Sequence, residues 1–221
     1  MEPKARLDFD ARLVLPNHAL FAGASQSGKT TLCLHLLSNP QLFSPPPCRI
    51  IFCYDQLQAS YTTFQQHLTA HGIDLVLFKD ISGISLDTIE KLPRQTILVI
   101  DDFSEETSSS NEIARIVTNG RHKNLSCWLI WHSLFSKHAA SRVICQNVRW
   151  FFFLPSLRLE SQLRTFGGQL GLRQRLLAAF KDVQKQPIEQ RYLMLDCGPN
   201  TPDMLRVRSR VDDSSMQYCY G

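Results

Sequence analysis

One octapeptide constrains this chain more than any other feature: Gly23-Ala-Ser-Gln-Ser-Gly28-Lys29-Thr30, set between the apolar run His18-Ala-Leu-Phe-Ala22 and the helical pattern Thr31-Leu-Cys-Leu-His-Leu-Leu37. The order is strand, glycine loop, helix, and the string fits the phosphate-loop pattern G-x-x-x-x-G-K-[S/T]. Glycines let backbone N–H groups curl around a triphosphate, Lys29 brings a mobile charge to its β and γ phosphates, and the Thr30 hydroxyl can ligate magnesium. Gly23, Ala24, Ser25, Gln26, Ser27, Gly28, Lys29, Thr30 and Thr31 are therefore the candidate nucleotide-binding residues, with ATP and Mg2+ as the expected ligands. The plainer alternative is a glycine turn that only packs a strand on a helix.

Downstream, further apolar runs alternate with helical patterns. Arg49–Tyr54, Leu75–Phe78, Thr96–Ile100, Leu125–Trp131 and Arg149–Leu154 read as strands. Several are apolar on consecutive residues, as strands covered on both faces are. Residues 60–71, 85–92, 158–166 and 172–185 read as helices, the last two separated by Gly167-Gly168 and Gly171. A polar loop, Ser104 to Ser110, leads into a helix ending at Asn119-Gly120, where glycine can take the left-handed position. Tyr192–Leu195 and Met204–Val207 form an expected hairpin. Trp128, Trp131, Trp150 and Phe151–Phe153 lie in or beside these strands and read as core. The expected fold is an α/β P-loop NTPase of the additional-strand type, with a mostly parallel central sheet, helices on both faces and a C-terminal hairpin. Residues 1–210 form one domain in this reading, followed by a loose polar tail, 211–221.

Asp101 and Asp102 close an apolar strand, which in a parallel sheet puts them at the carboxyl edge beside the phosphate loop. Asp101 is the candidate for holding magnesium through water, with Thr30 as the second ligand. Asp102 is the candidate acceptor for the attacking water. Glu105 and Glu106 remain alternatives to it. Phosphoryl transfer also needs positive charge beyond Lys29. Arg121, in Gly120-Arg-His-Lys123, is the first choice for an arginine supplied by a neighbouring subunit, with Arg149 and Arg142 as alternatives; each is equally readable as a surface arginine. His132, just past the strand 125–131, stands where strand-catalytic ATPases put a γ-phosphate sensor.

Charge is unevenly spread. Residues 1–120 hold nine Lys and Arg against thirteen Asp and Glu, residues 121–221 fifteen against seven, a net −4 followed by a net +8. A basic second part suits a polyanionic partner, although solvated helix faces give the same count. The seven cysteines are scattered, without a CxxC pair, which fits a reducing intracellular setting better than a disulfide framework or zinc ribbon. No run approaches the roughly 18 apolar residues of a membrane span, so no membrane partner is expected.

Taken in order, GASQSGKT, LVIDDF with paired aspartates, a Ser/Asn-rich segment ending in Gly120-Arg121-His122-Lys-Asn124, the polar pair His132-Ser133, and Arg142-Val-Ile-Cys-Gln-Asn147-Val-Arg149 before an aromatic strand resemble a known family. The chain is similar to the viral DNA-packaging ATPases of the FtsK–HerA superfamily, in the poxvirus-type branch also found in giant viruses and Maverick/Polinton elements. The resemblance covers residues 15–155 and extends more vaguely to Arg208. It implies ATP and magnesium at Gly28, Lys29, Thr30 and Asp101, with water activation by Asp102. His132 departs from the glutamine usual at the sensor position. The resemblance further implies a homo-oligomeric ring that threads double-stranded DNA into a capsid, a capsid or portal-vertex partner, and work in a host cell, at a nuclear or cytoplasmic assembly site, with virion association. A small-molecule P-loop kinase and a nucleotide-dependent interaction module with weak hydrolysis are the competing readings.

Overall fold

The structure, a computed structural model, describes residues 10–56, 60–81, 84–85, 95–101, 103–213 and 217–221. The helix expected over 85–92 lies outside the described residues apart from Ser85.

Six parallel strands, running from one edge inward, make up two thirds of a nine-stranded sheet: β2 (Ala19–Ala22), β4 (Arg49–Cys53), β5 (Asp74–Phe78), β6 (Thr96–Ile100), β7 (Leu125–Trp131) and β8 (Trp150–Phe153). β9 (Leu193–Asp196), β10 (Val207–Ser209) and β11 (Tyr218–Cys219) extend it antiparallel beyond β8. The order is β11-β10-β9-β8-β2-β7-β6-β4-β5. β7 thus lies between the phosphate-loop strand β2 and the acidic strand β6, which is the additional-strand arrangement expected from the sequence. A separate two-stranded pair joins β1 (Leu13–Val14) to β3 (Phe43–Ser44) in parallel.

The consecutive apolar residues of the strands have a simple cause: both faces are covered. Leu20, Ala22, Leu98, Ile100, Phe151 and Phe153 point into one core, under α4 (Asn111–Asn119), α5 (Ala139–Asn147), α6 (Leu157–Gln169) and α7 (Arg173–Val183). Ala19, Phe21, Ile97, Val99, Trp150 and Phe152 point into the other, under α1 (Lys29–Leu37) and α2 (Ser60–Ala70). The aromatics are core as expected: Phe21 stacks on Phe152 at 4.6 Å, and Trp128 and Trp150 are fully buried. Truncating such a ring typically costs ~3–5 kcal/mol.

Five local expectations need correction. The polar segment 104–110 is a helix over most of its length, α3 (Ser104–Ser109), with Glu105 and Glu106 in its first turn, where carboxylates suit the helix dipole. Gly120 is right-handed (φ −57), and Asn124 takes the left-handed position instead (φ 57); a Cβ on Gly120 would meet Leu125 and the buried His18 at 3.4–3.5 Å. α6 runs straight through Gly167, where a Cβ would stand 2.9 Å from the Arg173 backbone. That glycine lets α7 pack closely, and the break comes at Gly171 (φ 72). The polar tail is drawn into the sheet: Ser209 pairs with Tyr218 and Arg208 with Cys219. The hairpin's second strand accordingly begins at Val207, because Asp203–Leu205 forms a 3-10 turn.

Candidate active site

The chain crosses the carboxyl edge of the parallel strands at three neighbouring points: after β2 into the loop 23–28, after β6 at Asp101, and after β7 at His132. The loop owes its shape to two glycines. Gly28 is left-handed (φ 89), as is Gln26 (φ 60). At Gly23 a Cβ would sit 2.6 Å from the Ser27 hydroxyl and 3.1 Å from Leu154 on the neighbouring strand's exit, so a larger residue would force the loop off the sheet. Gly28 begins α1 without a capping side chain, which leaves the helix's first N–H groups and its positive dipole end facing the loop.

Lys29 is buried. Its ammonium donates to the Ala24 carbonyl at 2.8 Å and lies 3.3 Å from His132 Nδ1. An ammonium can only donate, so Nδ1 is the acceptor and the proton of a neutral imidazole falls on Nε2. Next to it, the Thr30 hydroxyl donates to Asp101 Oδ2 at 2.7 Å, and the Tyr61 hydroxyl lies 3.5 Å from the same oxygen. Asp101 is 1% exposed. Its charge reaches α1: burial first, and then Asp101, push the Cys33 thiol well above its usual range.

These residues fit the group expected there. A hydroxyl and a carboxylate oxygen 2.7 Å apart are hard donors of the kind magnesium takes while keeping waters and phosphate oxygens as its other ligands. The loop's curvature and the open start of α1 suit a phosphate chain.

Asp102 lies outside the described residues. Of its two alternatives, Glu105 is engaged: His138 Nε2 lies 2.9 Å from Glu105 Oε1, and Lys137 Nζ lies 3.9 Å from it. The His138 hydrogen bond holds the Glu105 carboxyl below its usual range. Glu106 lines a cleft of about 600 Å3 together with Trp131, His132 and Ser133.

The arginines are elsewhere. Arg121 precedes β7 and Arg149 precedes β8, so both sit at the amino edge of the sheet, about 20 Å of strand away from His132. They share a cleft of about 330 Å3 with Asn17, Asn147 and Asn200. Arg149 is held there by Asp196, Nε to Oδ1 at 2.9 Å and Nη2 to Oδ2 at 3.2 Å. Burial would raise the Asp196 carboxyl; the Arg149 bond and the Gly198 N–H more than offset that, and it lies below the usual range. Arg142 lines a groove between α5 and α6 with Gln146, Phe166 and Gln169.

Two buried polar groups that hold strand ends in place carry no clear mark in the sequence. His18, opening β2, is fully buried and accepts from the Cys127 N–H at 2.9 Å. Burial, reinforced by the Arg121 charge, depresses its pKa to about 3. Thr107, inside the supposed loop, accepts a hydrogen bond from Trp131 Nε1 at 2.8 Å. A histidine inside an apolar run was the available signal for the first; nothing local announces the second.

No family model and no curated protein matches the sequence. Among solved structures, the genome packaging NTPase B204 of Sulfolobus turreted icosahedral virus 2 is similar. Its complex with ATP-gammaS aligns with TM-score 0.55 at 15% identity, over 93% of this chain and 97% of that one. Its complex with AMPPCP gives 0.53 at 14% over 93% and 97%, and its complex with sulfate 0.53 at 16% over 84% and 93%. Identities this low establish a shared fold: a mostly parallel α/β sheet flanked by helices, of the P-loop NTPase type.

Proposed function

We propose that this chain is a magnesium-dependent ATPase that drives double-stranded DNA into a viral capsid, working as a homo-oligomeric ring at a capsid or portal vertex inside the host cell. The observation that carries the reading is the convergence at one sheet edge of a glycine-cradled loop, a buried lysine, a Thr30–Asp101 pair and His132. The fold shared with a genome packaging NTPase, and the sequence resemblance to packaging ATPases, support the packaging part.

In this reading Lys29 binds the β and γ phosphate oxygens, moving off the Ala24 carbonyl. Thr30 and Asp101 hold magnesium, which when bound neutralises charge on the phosphates. Asp102 accepts a proton from water as its oxygen attacks the γ phosphorus; the bond to the bridging oxygen breaks, and ADP and inorganic phosphate leave. His132 donates from Nε2 to a γ-phosphate oxygen. Arg121, remote from its own phosphate loop, serves the loop of a neighbouring subunit, as a head-to-tail ring permits. Arg149 is the weaker choice, because Asp196 already binds it in two places.

The test is ATP turnover with and without double-stranded DNA. Stimulation by DNA, with affinity that falls steeply as salt is added and shows little sequence preference, is the expected result. Turnover only with a small-molecule acceptor would make the chain a kinase, and nucleotide binding without turnover an interaction module. Asp101→Asn should lose magnesium-dependent activity. Asp102→Asn should bind ATP without hydrolysing it.

A further inference from the structure

The ends of β6 and β7 carry the two halves of the proposed site, and α3 ties them together. The Thr107 hydroxyl makes two bonds. It donates to the Phe103 carbonyl at 2.6 Å and accepts from Trp131 Nε1 at 2.8 Å. Phe103 follows the acidic pair in sequence, and Trp131 immediately precedes His132. The Thr107 N–H holds the same carbonyl at 2.8 Å, so this helix turn is fixed to the backbone beyond Asp101-Asp102, and the hydroxyl's bond to Trp131 Nε1 links the turn to the residue before His132. It is a dry joint, with Thr107 1% and Trp131 2% exposed, so water does not compete for either bond.

The same helix grips the loop beyond His132 at two more places. Ser108 accepts from the Ser136 hydroxyl at 3.2 Å, and Glu105 Oε1 lies 2.9 Å from His138 Nε2. On the far side, Gln162 of α6 accepts from the Leu134 N–H at 2.8 Å. His132 itself, whose Nδ1 lies 3.3 Å from Lys29 Nζ, is thus the reaching end of a segment clamped before and after it. An imidazole that must meet a phosphate oxygen within hydrogen-bond distance gains from such clamping, since a misplacement of about 1 Å can cost on the order of 100-fold in rate.

We propose that Thr107 is a positioning residue: its hydroxyl sets the height of His132 over the phosphate loop relative to the acidic strand end, and acts on hydrolysis only through His132. The inference rests on the ATPase reading and adds to it a residue outside the phosphate loop, the acidic pair and the sensor position.

The test is a double-mutant cycle in steady-state ATP hydrolysis, with affinity for a non-hydrolysable ATP analogue measured beside it. Thr107→Val removes both bonds at nearly constant shape. It should lower kcat about tenfold while KM and analogue affinity stay within about twofold, a loss confined to the chemical step. Thr107→Ser, which keeps the hydroxyl, should recover most of the rate. The combination of Thr107→Val with His132→Ala should be no slower than His132→Ala alone, because a residue acting through another is silent once that other is gone. Should Thr107→Val fail to fold, Trp131→Phe removes the donor from the other side of the same bond, and its cycle with His132→Ala carries the same expectation. Rate losses that multiply in the cycle, or a matching loss of analogue affinity, overturn the positioning role while leaving a Lys29-dependent ATPase intact. A wild-type chain without turnover, or turnover untouched by Lys29→Ala, overturns the ATPase reading itself.

Discussion

At the carboxyl edge of the parallel strands, Lys29, Thr30, Asp101 and His132 meet from the exits of three strands and bond to one another over 2.7–3.3 Å. At the amino edge of the same strands, Arg149 and His18 are instead engaged in closed structural contacts. Arg149 is held by Asp196, which also lies 3.9 Å from Arg208 and accepts from the Gly198 N–H. His18 ties β2 to β7 through the Cys127 N–H. The carboxyl edge ends in a helix start and a left-handed glycine, whose backbone donors suit a ligand. At the amino edge the carboxylate of Asp196 already matches its cations. The difference teaches how to rank charged residues at strand ends: a cation already bound in two places by a buried carboxylate is part of the scaffold, and an exposed one beside it is available to a partner. By that criterion Arg149 belongs to the scaffold, and the exposed Arg121 beside it in the same cleft is the better candidate for a partner.

The largest effect is expected at Arg121, which the proposed function assigns to the phosphate loop of another subunit. Arg121→Ala should bind ATP nearly as the wild type does and hydrolyse it about 10³-fold more slowly, the scale for loss of an arginine finger. Mixing it with Lys29→Ala subunits should restore part of the activity at mixed interfaces. No rescue in a mixture shown to co-assemble would return Arg121 to the scaffold and erase its contrast with Arg149.

The next effect is on stability. Asp196→Ala leaves Arg149 and the buried Arg208 without their shared carboxylate, which should cost ~3–5 kcal/mol. For a domain of this size that lowers Tm by roughly 10 °C, read by thermal unfolding. A change within about 2 °C would mean that the amino edge is no more closed than the carboxyl edge.

The smallest effect is a pH dependence. His18 is neutral when folded, with a pKa depressed to about 3, and titrates near 6.5 when unfolded. Its contribution is therefore intact above pH 6.5 and is lost as pH falls, because the unfolded chain takes up the proton first. Between pH 7 and pH 5 this should remove roughly 2 kcal/mol. His18→Asn, whose side-chain oxygen can replace Nδ1 as acceptor, should show a shallower decline of Tm over that range. Parallel declines would mean that His18 is not the buried neutral group described.

Much of this was legible in the chain. The phosphate loop, the acidic strand end and β2, β4, β6, β7 and β8 are readable because two-sided burial makes a strand continuously apolar, a pattern that needs no partner to be seen. The rest depends on residues distant in sequence. Asp196 lies 47 positions from Arg149, and neither type, taken alone, marks a pair. Serine and threonine bond their own backbone and favour caps and turns, so the Ser-rich α3 reads as loop; its Thr107, Ser108 and Glu105 are held by residues 24 to 33 positions on. β11 is two residues long, too short for any periodicity to mark it, and it forms because β10 offers an edge.

Magnesium-dependent ATP hydrolysis by the purified chain, measured beside Lys29→Ala, tests most directly whether the carboxyl edge is a nucleotide site. The substitution removes the buried ammonium that lies 2.8 Å from the Ala24 carbonyl and 3.3 Å from His132, the loop's own side-chain cation for the β and γ phosphates. Turnover should fall to background, with weakened nucleotide binding. Undiminished turnover in the folded variant would contradict the assignment of nucleotide chemistry to this edge.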